Sequence, residues 1–555
     1  MKKLFTFFML VSLSVVLFAG GNQAQSGSPG GGTAVVSAPG VFPITREKVT
    51  LDTFMVFNPD AADDLSTNTS LAELEALTNV HLNLVIANSS EGSEKFNLLI
   101  NSGQYPEVII NPVGASDLVR YGTTEKMFIP LNDLIDTYTV NIKKYFQDYP
   151  WVRESITSPD GNIYGIPAID SGAKVVGHGS ISYKLWFNNG WLTKLGLSRP
   201  TTTEEFRTVL RAFKTRDPNG NGRADEIPLS GAYGTWAADP YLYLLNAFGY
   251  YNENLVMLKN DTFTPVANQD YIRDGLAYIK SLYDEDLLDP ASLSQTMEQL
   301  MAIGNHGTDV ILGSFTAGHL AMGLDIADVE RARNYTTLEP LRGPSGYRGI
   351  PFGGDEQRPT NGFFIITDKC KEPAVAIRVS DAFNTEEMAV RTQVGIKGLN
   401  WDTADPGTFG MDGTTPAKYK YLSFLYSGVN VKKNDTLGWM WRQLEPNWKN
   451  LFQVSGDIRD TTNYEAFLYQ ETLKLVPYAA DVQIVPPLAY SEEVAGRMSR
   501  ISTPLTDYVK NSFVEFITGK RNLNTDWEAY KQNLERLGYS EYVNNMQNAY
   551  NQTKR

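Results

Sequence analysis

Val49-Thr50-Leu51-Asp52-Thr53-Phe54-Met55-Val56 alternates apolar and polar side chains with the period of two that a strand requires. Helical spacing follows over Ser70 to Thr78, and Leu82 to Ala87 is again strand-like. A further helix over about Ser93 to Asn101 and the strand Glu107-Val108-Ile109-Ile110 repeat the unit. Strands joined through helices pair in parallel, because the crossover returns the chain to the end at which it started. The fold class expected is therefore α/β, with sheets flanked by helices on their faces. At 555 residues the chain exceeds what one hydrophobic core usually supports, so two or more domains are expected.

Working outward, Asp160-Gly161-Asn162-Ile163-Tyr164-Gly165-Ile166-Pro167 is a turn and a short strand ended by proline, suited to a crossover between lobes. Thr308-Asp309-Val310-Ile311-Leu312-Gly313 and Gly362-Phe363-Phe364-Ile365-Ile366 are strand candidates that return to the first lobe. Helices are expected over Tyr271 to Glu285, Glu372 to Asn384 and Thr385 to Val394, and over the tail from Ser491, with stops at Gly519 and Gly538. The division that follows is a leader over 1–21, a flexible tether over 22–45, lobe one from 46–167 plus 306–366, and lobe two from 168–305 plus 367–555.

The leader is Met1-Lys2-Lys3, an apolar run from Leu4 to Phe18, and Ala19-Gly20-Gly21, the order of a secretory signal peptide. Gly20 or Gly21 stands where a lipoprotein would carry its acylated cysteine, so a lipid anchor is not supported and a free periplasmic protein is expected. Cys370 is the only cysteine, which excludes an intramolecular disulfide. The net charge is −14, and with Lys2 and Lys3 removed 47 basic residues face 63 acidic ones, a net −16. That balance argues against nucleic acid as a partner.

Asp217-Pro218-Asn219-Gly220-Asn221-Gly222-Arg223-Ala224-Asp225-Glu226-Ile227 places oxygen-bearing side chains at alternate positions and glycine at the sixth. This is the arrangement of a loop that wraps Ca2+ in oxygen ligands. Asp217, Asn219 and Asn221 take the first, third and fifth positions, the Arg223 carbonyl the seventh, and Asp225 and Glu226 close the sphere. Pro228 holds the twelfth position, where an EF-hand carries glutamate, so the ion is expected to be structural. Ahead of the loop, Thr202 and Glu205 have capping-box spacing, and Phe206, Val209, Leu210 and Phe213 mark one face of a helix that runs into it.

This loop, together with Trp191-Leu192-Thr193-Lys194-Leu195-Gly196-Leu197, Pro200-Thr201-Thr202-Thr203-Glu204-Glu205-Phe206, Tyr164-Gly165-Ile166-Pro167 and Gly395-Ile396-Lys397-Gly398, resembles the large extracellular solute-binding proteins (family 1) of ABC importers. Phe516-Ile517-Thr518-Gly519, Trp527-Glu528-Ala529-Tyr530, Leu537-Gly538 and Gln547-Asn548-Ala549-Tyr550 resemble the tail of the same group. The resemblance implies a two-lobed periplasmic-binding-protein fold with the ligand in the cleft between lobes. It also implies an oligosaccharide ligand, a structural calcium ion and delivery to the permease subunits of an importer; a monomer is expected. Relatives often carry Arg-Lys-Asp where this chain has Asn188-Asn189-Gly190, which leaves the ligand's charge open.

Sugars are bound by flat aromatic rings and hydrogen-bonding polar groups. The aromatic candidates are Tyr233, Trp236, Trp401, Trp439 and Trp441; the polar ones are Asn58, Asp60, Asp355, Glu356 and Arg358, which lie beside strand ends. Two alternatives stand beside this reading: a secreted polysaccharide hydrolase or lyase, and a receptor that presents its ligand to a sensor kinase. No carboxylate pair has a recognisable catalytic spacing, His81, His178, His306 and His319 lack zinc-ligand spacing, and no Gly-x-Ser-x-Gly elbow occurs. No catalysis is expected.

Overall fold

Alternation in the first strand holds only over its start; from Thr53 to Val56 every residue is buried, so the sheet is covered on both faces. In the computed structural model, which describes residues 34–57, 64–88, 91–169, 180–351, 359–423, 434–437, 448–483, 485–486, 488 and 490–553, Leu51 and Met55 pack with Val108, Ile110 and Ile366 on one side. Phe54 and Val56 pack with Ile109 and Ile365 on the other. The strands described are β1 (Val49–Phe57), β2 (Val80–Asn88), β3 (Val108–Val113), β4 (Ile166–Ile169), β5 (Leu185–Asn188), β6 (Val256–Lys259), β7 (Thr262–Pro265), β8 (Ser314–Thr316), β9 (Tyr335–Leu338), β10 (Pro359–Ile366), β11 (Trp401–Thr403) and β12 (Tyr419–Tyr421).

The first sheet has the order β2-β1-β3-β10-β4. Strands β1, β2 and β3 are parallel, and helices Thr69–Thr78 and Gly92–Ser102 are their crossovers. Strand β10 runs antiparallel to both neighbours, pairing Gly362 with Val113 and Pro359 with Ile169. This register gathers the carboxyl ends of β1, β3 and β4 and the start of β10 at one edge of the sheet.

The second sheet, β8-β5-β9, is antiparallel throughout and pairs Leu185 with both Thr316 and Leu338. Its core takes in Leu185 and Phe187, the helix Thr203–Thr215 through Phe206, Leu210 and Phe213, and the tail through Val509, Phe513, Phe516, Tyr530 and Tyr539. The tail comprises helices Glu492–Thr518, Trp527–Arg536 and Tyr539–Thr553. Gly519 ends the first at φ 76°, a left-handed cap that costs glycine little. Two small hairpins, β6 with β7 and β11 with β12, complete the strands described.

Two parts of the expected division are corrected. The stretch 306–366 does not belong to lobe one as a block, because Ser314–Thr316 and Tyr335–Leu338 pair with β5 and only β10 joins the first sheet. Nor does everything after residue 366 join lobe two. Helix Pro373–Phe383 buries Val375, Ala376 and Val379 against the first sheet, and Arg391 of helix Glu386–Val394 reaches Glu73, Ser70 and Thr69 at 2.6, 2.9 and 2.8 Å.

The tether expectation for 22–45 also fails at its end. Val36 bridges Thr45, and buried Arg378 donates to the carbonyls of Ser37, Ala38 and Val41 at 2.7, 2.9 and 2.8 Å. A guanidinium satisfies three carbonyls of a segment that has few apolar side chains of its own. Arg378→Met is therefore expected to expose residues 34–45 to limited proteolysis while the rest of the chain stays protected; equal protection in both proteins would refute the clasp.

The signal-peptide expectation lies outside the described residues, among which no helix is long and apolar enough to cross a membrane. Cys370 is partly buried, and burial pushes its thiol up to about 12, as befits an unreactive side chain.

Candidate functional site

The chain passes from the first sheet to the second between β4 and β5, and back between β9 and β10. Strand β5 starts at Leu185, opposite Thr316, so the turn after β8 lies at the edge where the chain enters the second sheet. That turn is Ala317-Gly318-His319. It is fixed by Ala317 N–H on the Lys184 carbonyl at 3.1 Å and by the Trp186 indole N–H on the Ala317 carbonyl at 3.1 Å.

Trp236 lies over this turn. Its indole is 43% exposed, a high value for so large an apolar surface. The ring is seated on Gly318, where an added Cβ would come within 2.0 Å of ring carbon Cζ3. The His319 ring stands 6.4 Å away, and Tyr464 meets His319 edge-on at 6.3 Å. Tyr233, half-buried, donates its hydroxyl to Asn511 Oδ1 at 3.3 Å on the first tail helix. The structure thus brings Tyr233 and Trp236 together on one short loop.

Trp401 does not join them. It is 1% exposed, donates its indole N–H to the Gly395 carbonyl at 2.9 Å and packs with Val390, Val394, Phe452 and Tyr419. Its candidacy as a binding surface is corrected to packing, because no face of the ring is left for another molecule. Trp401→Ala is expected to cost about 3–5 kcal/mol of stability, the usual result of emptying such a site, read as a lower denaturant midpoint. Trp439, Trp441, Asn58, Asp60, Asp355, Glu356 and Arg358 lie outside the described residues.

Asp117 was missed by the sequence reading. It follows β3, half-buried, and no hydrogen-bond partner reaches its side chain among the described residues; burial pushes its carboxyl above the usual range, opposed by the Arg120 charge. The signal available was its place after a parallel strand, the same signal that selected Asn58.

The loop from Asp217 has the internal bonding of a cation-wrapping turn. Asp217 Oδ1 accepts from the N–H groups of Gly220 and Asn221 at 2.8 and 3.1 Å, and Oδ2 from Gly222 at 3.0 Å. Asn219 Oδ1 accepts from Asn221 N–H at 3.0 Å, and Asn221 Oδ1 from Arg223 N–H at 2.8 Å. These bonds turn the first, third and fifth side chains inward. Gly222, at the sixth position, has φ 73°, a region side-chain-bearing residues rarely enter.

At the other end of the loop, Asp225 accepts from the Asn219 and Asn221 amides, at 2.9 Å and 3.1 to 3.3 Å, and pairs with Arg223 at 3.1 Å. Glu226 Oε1 is buried without a hydrogen-bond partner among the described residues, and burial together with the Asp217 and Asp225 charges raises its carboxyl, opposed by the N–H groups of Glu226 and Asn219. No cluster of three or more His, Cys, Asp or Glu side chains placed to hold a metal occurs among the described residues. The residues of the loop nevertheless fit a hard cation: the donors are all oxygen, and the orphaned Glu226 oxygen and the mutual repulsion of three carboxylates are what a dication would relieve.

The loop also connects to the aromatic pair. Its exit, Ile227 to Ser230, runs parallel to the chain leading into β8, bridging Ile227 with Leu312 and Ser230 with Phe315. Lys194 holds the outer side by donating to the carbonyls of Pro218 and Asn219 at 2.8 and 3.1 Å. Three residues beyond Ser230 the chain reaches Tyr233. The helix capped by Thr202 and Glu205, the loop and the aromatic pair are consecutive parts of one support.

The bacterial extracellular solute-binding protein family matches residues 62–390, and the chain belongs to that family. Its fold is the two-lobed solute-binding architecture. Among particular relatives, the chain is 28% identical over 561 residues to the fructooligosaccharide ABC transporter substrate-binding protein FusA of Streptococcus pneumoniae serotype 4 (strain ATCC BAA-334 / TIGR4), covering 98% of this chain and 97% of that one. The structure of S. pneumoniae FusA in complex with kestose superposes with a TM-score of 0.75 at 27% identity, over 91% of this chain and 99% of the other. An EF-hand mutant of FusA in complex with fructo-nystose gives 0.72 at 25% identity, over 91% and 99%.

Proposed function

We propose that this protein captures an oligosaccharide outside the cytoplasm and delivers it to the permease subunits of an ABC importer. The observation that carries this reading is the exposed indole of Trp236, rigidly seated where the chain crosses between sheets, in a chain that aligns from end to end with a fructooligosaccharide-binding relative. A sugar ring presents a face of C–H bonds that stacks on such an indole, while its hydroxyls are met by carboxylates and amides. Asp117, which follows β3, is the polar group suited to that role, since a carboxylate accepts from two hydroxyls at once. A ligand that touches both lobes stabilises the closed arrangement by its contacts to each.

The protein acts as a monomer in the periplasm, with no catalytic step. Asp217, Asn219, Asn221, Asp225 and Glu226 hold Ca2+ through side-chain oxygens and Arg223 through its carbonyl. Bound there, the ion supplies positive charge among three carboxylates and so fixes the exit strand that leads to Tyr233 and Trp236.

Thermal-shift measurements against neutral and acidic oligosaccharides test the reading, because a ligand bound only by the folded chain raises the melting temperature. Stabilisation by kestose or a related neutral oligosaccharide, recovered unchanged, is the expected result; cleavage of the sugar by pure protein would defeat it. Gly318→Ala is a sharper probe. The added Cβ unseats the indole, so affinity is expected to fall by about tenfold, on the order of 1.4 kcal/mol, with the melting temperature little changed. Unaltered affinity would remove Trp236 from the site.

A further inference from the structure

We propose that Asp239 is the positioning residue of the Tyr233–Trp236 platform, and that the charge on its carboxylate decides whether the platform is held ready for ligand. This rests on the reading of Trp236 as a ligand-contacting surface. Asp239 is 1% exposed at the start of helix Pro240–Leu244, yet it does not cap that helix. Its two oxygens instead face the N–H of Gly234, in the middle of the platform loop, each at 3.2 Å.

The loop needs that anchor. Its ends are closed tightly: Ala232 N–H donates to the Ala238 carbonyl at 3.0 Å, Thr316 Oγ1 to the same carbonyl at 2.7 Å, and a Cβ on Gly231 would lie 2.4 Å from it. Between these ends Gly234 sits at φ 63° and Ala237 at φ 56°, the latter an uncommon conformation for a residue with a side chain. Tyr233 N–H is held by the Gln295 carbonyl at 3.0 Å and Ala238 N–H by Thr235 at 3.0 Å. Gly234 N–H, two residues from the indole, is held by Asp239.

An ionised acceptor binds an N–H about twice as strongly as a neutral one, so the proton on Asp239 sets the strength of this anchor. Burial pushes the carboxyl up to about 7, opposed by the Gly234 N–H and by the Lys510 charge, and reinforced by Glu253. Lys510, from the first tail helix, lies 3.6 Å from Glu253, and these are the fixed charges facing the group. Tyr233 on the loop, Tyr241 on the following helix and Tyr251 are the neighbouring phenols; Asp507 acts on Tyr233, and His319 faces the indole from the β8 turn. The platform is therefore held more firmly above neutral pH than below it, so that ligand affinity falls in acid.

The test uses the full chain without ligand. The fluorescence of Trp236, taken as the difference between wild type and Trp236→Phe, is followed from about pH 5.5 to about pH 8.5, a window that brackets the transition. A sigmoidal change centred near 7 is expected. In Asp239→Asn, whose amide still accepts from Gly234, the change is expected to vanish. Lys510→Met is expected to move the midpoint upward and Glu253→Gln to move it downward. Because the His319 ring also faces the indole, these shifts decide the matter rather than the transition alone. A transition that survives in Asp239→Asn, or a midpoint indifferent to both charge removals, would overturn the proposal, and the two charge variants settle it even where Asp239→Asn does not fold. Kestose affinity measured in parallel is expected to fall by about threefold or more from pH 8 to pH 6, a change on the order of 0.65 kcal/mol. Failure of kestose to bind at either pH would count against the sugar reading and leave the fluorescence result to judge Asp239.

Stability supplies a separate check on the same group. Its folded-state value lies above the ordinary 3.8, so between about pH 4 and about pH 7 the folded chain keeps a proton that the unfolded chain has lost. Stability therefore falls as pH rises through that window. Relative to wild type, Asp239→Asn is expected to gain in melting temperature at pH 8 compared with pH 5; an offset that is the same at both would show that the carboxyl is ionised throughout.

Discussion

Removing calcium with a chelator is expected to lower the melting temperature of the purified protein, and Asp217→Ala is expected to abolish that response. The basis is the charge balance of the loop. Asp217, Asp225 and Glu226 lie within ten residues, and buried Glu226 Oε1 has no hydrogen-bond partner among the described residues. At free calcium about 100-fold above Kd the ion adds about 2.7 kcal/mol of stability. That corresponds to a shift on the order of 4 °C where the second lobe unfolds as a unit. Glu226→Gln separates the contributions, since it removes charge but leaves an oxygen. It is expected to weaken calcium binding while raising the stability of the calcium-free chain, because burial and its two acidic neighbours disfavour the ionised side chain. A chain that melts identically with calcium and with chelator, and binds no calcium by calorimetry, would rule the ion out. The loop would then act through its own hydrogen bonds and the Arg223 pairs to Asp225 and Asp309.

Trp236→Ala is expected to weaken oligosaccharide binding by about 30-fold, on the order of 2 kcal/mol, the range typical of an aromatic anchor at the centre of a site. With 43% of the indole already exposed, the folded chain loses little packing, so the melting temperature without ligand is expected to stay close to wild type. Trp401→Ala makes the contrast. Its fully buried ring supports helix Glu386–Val394 and β12, so stability falls first and affinity only through it. Calorimetric Kd and the denaturant midpoint, measured on both variants, distinguish the two roles. Equal losses of affinity at unchanged stability would place Trp401 in the site after all.

These two tryptophans show where a sequence is silent. Trp236 stands among Tyr233, Tyr241 and Tyr243 whereas Trp401 has no aromatic within seven residues, yet the first is exposed and the second buried. The difference arises from contacts distant in the chain, Gly318 under Trp236 and Phe452 against Trp401. Periodicity, by contrast, is local. It sufficed for β1 to β3 and their crossover helices, for the capping box at Thr202 and for the glycine stops of the tail. The apolar run Val310 to Leu312 misled because it has the composition of a buried parallel strand. Its partner, Ile227, lies more than eighty residues away, so sheet membership could not be read from the run itself. Asp239 was overlooked for a related reason: Asp before Pro is an ordinary helix start, and only the fold turns its carboxylate back to Gly234.

The most direct measurement is isothermal titration of the intact, calcium-loaded chain with kestose, followed by analysis of the recovered sugar. Binding of one sugar per chain, with Kd on the order of micromolar or tighter and the sugar recovered intact, is the result this reading requires. No heat from kestose or from any neutral or acidic oligosaccharide, or a sugar recovered in pieces, would contradict it.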